Sequence, residues 1–197
     1  MSTLKKNFFY NSILTLSTVL TPIISFPYIA RVLDPGGIGM VSFANTFIQY
    51  FLLLSALGMP YYGIREIAKT NSAEERTRVV AELTIIRFLI TTIAIIIYIA
   101  TVLVVPKLAQ NAKFYWWGIL TLFFGIFDIN WFFSGLNDFK YIALRSVVFQ
   151  VIQVLAYLVF VRNETDTFVY FTIPILVTLL NTLTNLTFIR KYLTRPN

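Results

Sequence analysis

An all-helical, polytopic membrane protein is the fold class that three features of the sequence predict. Six apolar stretches are each long enough to cross a bilayer, the connectors between them alternate between rich and poor in lysine and arginine, and runs such as Ile93–Ala100 carry no polar alternation. A hydrocarbon core about 30 Å thick takes roughly 20 helical residues to span. Inside lipid every backbone amide must be paired within the protein, which leaves helices or closed barrels. The missing alternation excludes barrel strands. The spans fall at about Phe8–Val32, Ile38–Met59, Val79–Val105, Phe114–Ser134, Ser146–Val161 and Phe168–Ile189, so residues 1–197 form one transmembrane bundle.

The first span carries Pro22 and Pro27 in its outer half. Each proline removes a backbone donor and clashes with the preceding turn, so a bend or break is expected, either a passive kink or a hinge beside a cavity. Leu33–Gly39 (LDPGGIG) is a tight turn by composition, and it makes the first two spans an antiparallel hairpin. Ser42, Asn45, Thr46 and Gln49 then share one face of the second span. Such a polar stripe faces other helices or a water-filled cavity rather than lipid. Tyr61–Lys69 has an amphipathic pattern that suits a helix lying at the membrane surface. Asn71–Arg78 is the most polar stretch and is expected to be an exposed loop. Trp116 and Trp117 open the fourth span, at headgroup level where amphipathic aromatics anchor. Asn137–Lys140 makes the inner turn before the fifth span, and Arg162–Asp166 the outer turn before the sixth.

Charged residues are 13% of the chain and hydrophobic ones 57%, which leaves no water-soluble core. The net charge of +7 is explained by placement rather than by nucleic acid. Lys5, Lys6, Arg65, Lys69, Arg76, Arg78, Lys140, Arg145, Arg190, Lys191 and Arg195 fall on one side, against Arg31, Lys107, Lys113 and Arg162 on the other. The excess of lysine and arginine marks the cytoplasmic side and places both termini there. The chain has no cysteine and no histidine, so disulfides, thiolate metal sites, cysteine nucleophiles and imidazole acid–base chemistry are excluded. No glycine-rich phosphate loop, metal-ligand cluster or nucleophile with a nearby base is present, and neither an enzyme nor a bound metal or cofactor is expected.

Arg87 and Asp128 are the two ionisable residues expected within the hydrocarbon slab. Left alone at the bilayer centre each costs roughly 2.5–3.5 kcal/mol on insertion scales. By helical rise both lie roughly 10 Å in from the cytoplasmic face, on adjacent antiparallel spans. They are expected to form an ion pair or to face one cavity, with snorkelling of Arg87 to the surface as the alternative.

Three stretches together carry a family resemblance. Tyr28–Gly39 (YIARVLDPGGIG), followed by Ser42–Asn45 (SFAN) and Gln49–Phe51 (QYF), resembles the first hairpin of bacterial polysaccharide flippases of the Wzx type, in the MOP exporter superfamily. Gly63–Lys69 (GIREIAK) resembles a segment of the same proteins, and Trp131–Ile142 (WFFSGLNDFKYI), with Arg145-Ser146 after it, is similar to their inner turn between spans four and five. Asp34 stands where those proteins are expected to carry glycine. The family is expected to have about a dozen spans or more in two related bundles, so the chain resembles the N-terminal six-helix lobe of a MOP/MATE-like transporter and would act with a second six-helix half or a second copy.

The resemblance implies a function: moving an undecaprenyl-pyrophosphate-linked glycan across the bacterial cytoplasmic (inner) membrane for O-antigen, capsule or exopolysaccharide synthesis. Arginine and lysine would meet the pyrophosphate, with Arg31 near the outer mouth, Arg87 within the membrane, and Arg65, Lys69, Lys140 and Arg145 near the inner mouth. Asn45, Gln49, Tyr50 and Asn130 offer amide and aromatic surfaces to sugar. The alternatives are half of a MATE-like small-molecule exporter, which would not need so basic an inner mouth, and a non-transport membrane subunit or enzyme of surface-polysaccharide synthesis. Against the second stand the short outer connectors and the missing histidine. A non-functional remnant would give no phenotype on deletion.

Overall fold

A computed structural model describes residues 3–193. The described residues fold as helices joined by short turns: α1 (Thr3–Val32), α2 (Pro35–Ala56), α3 (Met59–Lys69), α4 (Ala73–Val104), α5 (Pro106–Ala109), α6 (Ala112–Gly125), α7 (Asn130–Gly135), α8 (Phe139–Phe160) and α9 (Thr167–Ile189). Six segments are long and apolar enough to cross a membrane, with α6 and α7 together making one of them. Arg195, counted above among the charges of one side, lies outside the described residues.

The turns show why the helices start where they do. Asp34 N-caps α2: one carboxylate oxygen accepts from the backbone N–H of Gly36 and of Gly37 at 2.8 and 3.3 Å. Its carboxylate therefore satisfies donors that a helix start leaves open, ahead of Pro35 at the first helical position. Asp166 closes the turn before α9, accepting from the backbone N–H of Arg162 and of Asn163 at 2.9 Å each. Tyr28 on α1 donates its hydroxyl to the carbonyl of Val161 at 2.7 Å, which ties the first helix to the end of α8.

Two expectations from the sequence are corrected, and a third in part. Asn71–Arg78 is mostly helix rather than loop: Ser72 accepts from the Glu75 N–H at 3.1 Å, and the Glu75 carboxylate accepts from the Asn71 N–H at 2.7 Å. This serine–glutamate cap starts α4 about two turns before the apolar run begins. Likewise α8 begins at Phe139 behind the cap Asp138, so Lys140 and Arg145 are helical and not in a connector. Of the bend or break expected at Pro22 and Pro27, the break does not occur: α1 stays helical through both. Near the first of these, Thr21 and Ser25 return their hydroxyls to the carbonyls of Ser17 and Thr21, both at 2.9 Å.

The helices α2, α4, α6 and α9 pack together, α8 packs on α9, and α1 lies on α8 at the edge of the bundle. Leu16, Val19, Leu20, Ile23, Ile24 and Phe26 of α1 are all exposed, as suits a helix bathed in lipid. One end of the bundle is an aromatic core. Tyr98 is fully buried, its hydroxyl donates to the Tyr115 carbonyl at 2.9 Å, and Phe47 and Phe51 pack their rings on it. Gly118 lets α6 approach closely, since a Cβ there would come within 2.4 Å of Ile48. At the other end α3 is seated on α7. A Cβ on Gly63 would meet the Trp131 ring at 2.4 Å, and one on Gly135 would meet the Ile64 carbonyl at 2.9 Å, so both helices use glycine to touch.

Candidate functional site

The fourth crossing is interrupted. α6 ends at Gly125, α7 starts at Asn130, and Ile126–Ile129 between them are not helical. Before the break the backbone tightens to i→i−3 bonds, from Ile126, Phe127 and Asp128 to Phe123, Phe124 and Gly125 at 3.1–3.2 Å. Asp128 then turns the chain by accepting from the Asn130 N–H at 3.2 Å, the local competition with helix that short polar side chains provide. Irregular backbone at membrane depth is tolerated where protein or a water-filled cavity satisfies it. Here Arg87 does so: its Nη1 donates to the Asp128 carbonyl at 2.9 Å.

Beside the break lies a cleft of about 370 Å³ lined by Gln49 and Pro60, by Arg87, by Thr121, Asp128 and Asn130, and by Thr178, Asn181, Thr182 and Asn185. Arg87 is only 6% exposed, and Arg145, one hydrogen bond behind the cleft wall, 7%. Arg145 donates through Nη2 to Asn130 Oδ1 and lies over the Tyr141 ring, 5.2 Å from its centroid. Asn185 Nδ2 donates to the same Asn130 oxygen at 3.3 Å. Among the described residues the ion pairs within 4.0 Å are Lys69–Glu66 and Arg78–Glu82, both on the surface, and neither buried arginine has a carboxylate at that distance. Arg87 Nε and Arg145 Nε and Nη1 have no hydrogen-bond partner. Donors of this kind, buried and unpaired, are costly unless something accepts from them. The Asp128 carboxylate attracts both guanidinium groups from beyond contact distance, which leaves an excess of positive charge at the break.

The residues singled out in the sequence separate into two groups. Arg87, Asp128, Asn130 and Gln49 line the cleft together, and Arg145 backs it. The expected Arg87–Asp128 ion pair is replaced by the bond to the Asp128 carbonyl, because the helix break presents that carbonyl to the guanidinium. Arg31, Arg65, Lys69 and Lys140 are exposed outside the cleft, with Lys69 held by Glu66 at 2.7 Å. Ser42, Thr46 and Tyr50 are exposed and Asn45 is half-buried, so most of the α2 stripe points away from the bundle's own core and does not glue its helices. Thr178, Asn181, Thr182 and Asn185 of α9 line the cleft without having been expected there. Their spacing of three, one and three repeats that of Ser42, Asn45, Thr46 and Gln49, and this repetition was the available signal.

Comparison with known proteins agrees with the resemblance carried by the first hairpin and the α7–α8 turn. The family model described as polysaccharide biosynthesis protein matches residues 4–197. The chain belongs to this family. It is also 23% identical over 164 residues to an Escherichia coli (strain K12) protein described as "Putative O-antigen transporter", an alignment that covers 83% of the chain and 40% of that relative. The chain thus spans about two fifths of the length of the relative it matches. No solved structure matches. With its six long apolar helices, this member of the polysaccharide biosynthesis family is a multi-pass membrane protein.

Proposed function

We propose that the chain forms one bundle of a flippase that carries a polyprenyl-pyrophosphate-linked oligosaccharide across the bacterial cytoplasmic membrane, with both termini in the cytoplasm. The observation that carries this reading is the pair of buried arginines at the helix break, which keep free donors and have no carboxylate partner at ion-pair distance. Uncompensated guanidinium groups inside a membrane protein call for an anion that comes and goes, and a diphosphate matches their flat donor geometry. The sugar, by contrast, needs hydroxyl and amide partners, and Gln49, Thr178, Asn181 and Thr182 supply them along the same cleft. The polyprenyl chain stays in lipid, against flanks such as the exposed apolar face of α1. The transporter name borne by the Escherichia coli relative points the same way.

Alternating access in repeat-built carriers rocks one bundle against another around a midplane site. The exposed polar stripe of α2, unsuited to lipid, is where a second six-helix half or a second copy would complete the path. Arg65, Lys69 and Lys140 would gather the diphosphate at the inner mouth, Arg31 would meet it at the outer mouth, and Pro22 and Pro27 would let α1 flex between the two. The test is complementation of a flippase-deficient strain, scored by lipid-linked glycan trapped in the cytoplasmic leaflet. The chain co-expressed with a matching second half should clear the trapped glycan. An Arg87→Gln/Arg145→Gln variant that accumulates in the membrane normally yet clears it equally well would overturn the proposal.

A further inference from the structure

Asn130 is a side chain whose contacts go beyond lining the cleft. Its Oδ1 accepts from Arg145 on α8 and from Asn185 on α9, so one neutral oxygen at the first residue of α7 ties three helices together. Arg145 spends one donor on this oxygen while its Nε and Nη1 remain without partners. Its guanidinium also lies over the Tyr141 ring, itself stacked on Phe188 at 3.9 Å between centroids and nearly parallel. A buried cation held by a single amide oxygen is held weakly, because bonds to a charged acceptor are roughly twice as strong as bonds to a neutral one.

From this geometry we infer that Asn130 is an internal stand-in for the substrate's anion, a positioning residue that holds Arg145 ready in the empty site and surrenders it when a diphosphate arrives. The inference rests on the proposed anion role of the two arginines and adds what happens on binding. An incoming phosphate oxygen offers Arg145 a charged acceptor, and the guanidinium swings from Asn130 onto it. Asn130 then keeps only the Asn185 bond, so the tie between α7 and α8 is loosened. α7 is seated on the surface helix α3 through Gly63 and Gly135, and therefore the two helices would shift together. Filling the site is in this way coupled to movement at the membrane surface.

The exchange makes predictions of opposite sign for two substitutions at one position. In Asn130→Asp a fixed carboxylate competes with the ligand for Arg145, so affinity for inorganic pyrophosphate should fall by about tenfold or more, while thermal stability rises or holds. In Asn130→Ala the competitor is gone, and affinity should rise by about threefold or more, with some loss of stability. Calorimetric titration of pyrophosphate into the chain in lipid nanodiscs, with thermal unfolding of each variant, reads both. Should Arg145→Gln abolish binding while both Asn130 variants weaken it, or leave it unchanged, the stand-in role is wrong and the anion site survives. Should the wild-type chain bind no pyrophosphate, the anion site itself falls, and the stand-in role with it.

Discussion

The two ends of the bundle are built on opposite rules. Around Tyr98 the buried hydroxyl reaches the Tyr115 carbonyl, and Phe47, Phe51, Leu122 and Phe171 pack about it. Around the break at Ile126–Ile129, two arginines lie buried with spare donors, and the backbone is held by a side chain instead of by its own helix. Association of helices in lipid gains little from the hydrophobic effect, so packing and paired polar groups must hold a bundle together. The aromatic end meets that requirement. The cleft end departs from it, and such departures concentrate where a protein must bind or move something.

This contrast is broken most directly at the arginines. Replacing both, as in Arg87→Gln/Arg145→Gln, should reduce transport by about a hundredfold or more, since each charged bond to the ligand contributes about 1.5–3 kcal/mol. Folding should suffer far less. Removing an uncompensated buried charge relieves a cost, and Arg145→Met should leave the unfolding temperature in detergent unchanged or higher. A large loss of stability in Arg145→Met would make the arginine a structural strut and would erase the distinction between the two ends.

The converse applies at the aromatic end. Leu122→Ala, at a fully buried position, should cost about 2 kcal/mol or more through the cavity it leaves. Thr178→Ala in the cleft should be nearly neutral for stability and should act on transport instead. Equilibrium unfolding of the two variants in mixed micelles compares them. Between the two ends stands the α3–α7 contact. Gly63→Val would force atoms into the Trp131 ring and should cost about 1–3 kcal/mol, with increased proteolytic nicking near Thr70.

Much of the bundle could be read in the sequence, because lipid leaves few options: span length and the proline–glycine turn at Pro35–Gly37 depend on composition alone. Where hydropathy was the only guide, the helix ends were misplaced. Ser72 and Asp138 start α4 and α8 ahead of Val79 and Ser146, where hydropathy had put the starts, and caps rather than hydrophobicity decide them. The same error set Arg145 in a connector, when it is in fact the second turn of a helix and buried. The break after Gly125 coincides with Asp128 and Asn130, but composition does not separate an ion pair with Arg87 from the bond that Arg87 donates to the Asp128 carbonyl. The α9 stripe carried a spacing already used for α2, yet sequence alone does not tell which of two stripes faces a cleft.

The smallest effect is expected far from both ends' chemistry, at Asp166. Its backbone bonds to Arg162 and Asn163 hold the carboxyl below the ordinary aspartate range. A group whose folded value is depressed stabilises above its unfolded value and loses that contribution as the pH falls through the folded one. The turn before α9 should therefore loosen only in acid, and Asp166→Asn should remove most of that pH dependence. Amide exchange at Arg162 and Asn163 would read it, and a turn that opens instead as the pH rises would contradict the assignment.

Because the chain contains no cysteine, one engineered thiol reports on one position, and the most direct measurement uses this. Thr178→Cys in the cleft and Leu122→Cys in the aromatic end are treated in native membranes with a charged, membrane-impermeant thiol reagent, with and without pyrophosphate. The account predicts that Cys at 178 reacts, that pyrophosphate protects it, and that Cys at 122 stays unreactive under both conditions. A cleft thiol that never reacts, or one that reacts equally fast with pyrophosphate present, would contradict a water-filled anion site at the broken helix.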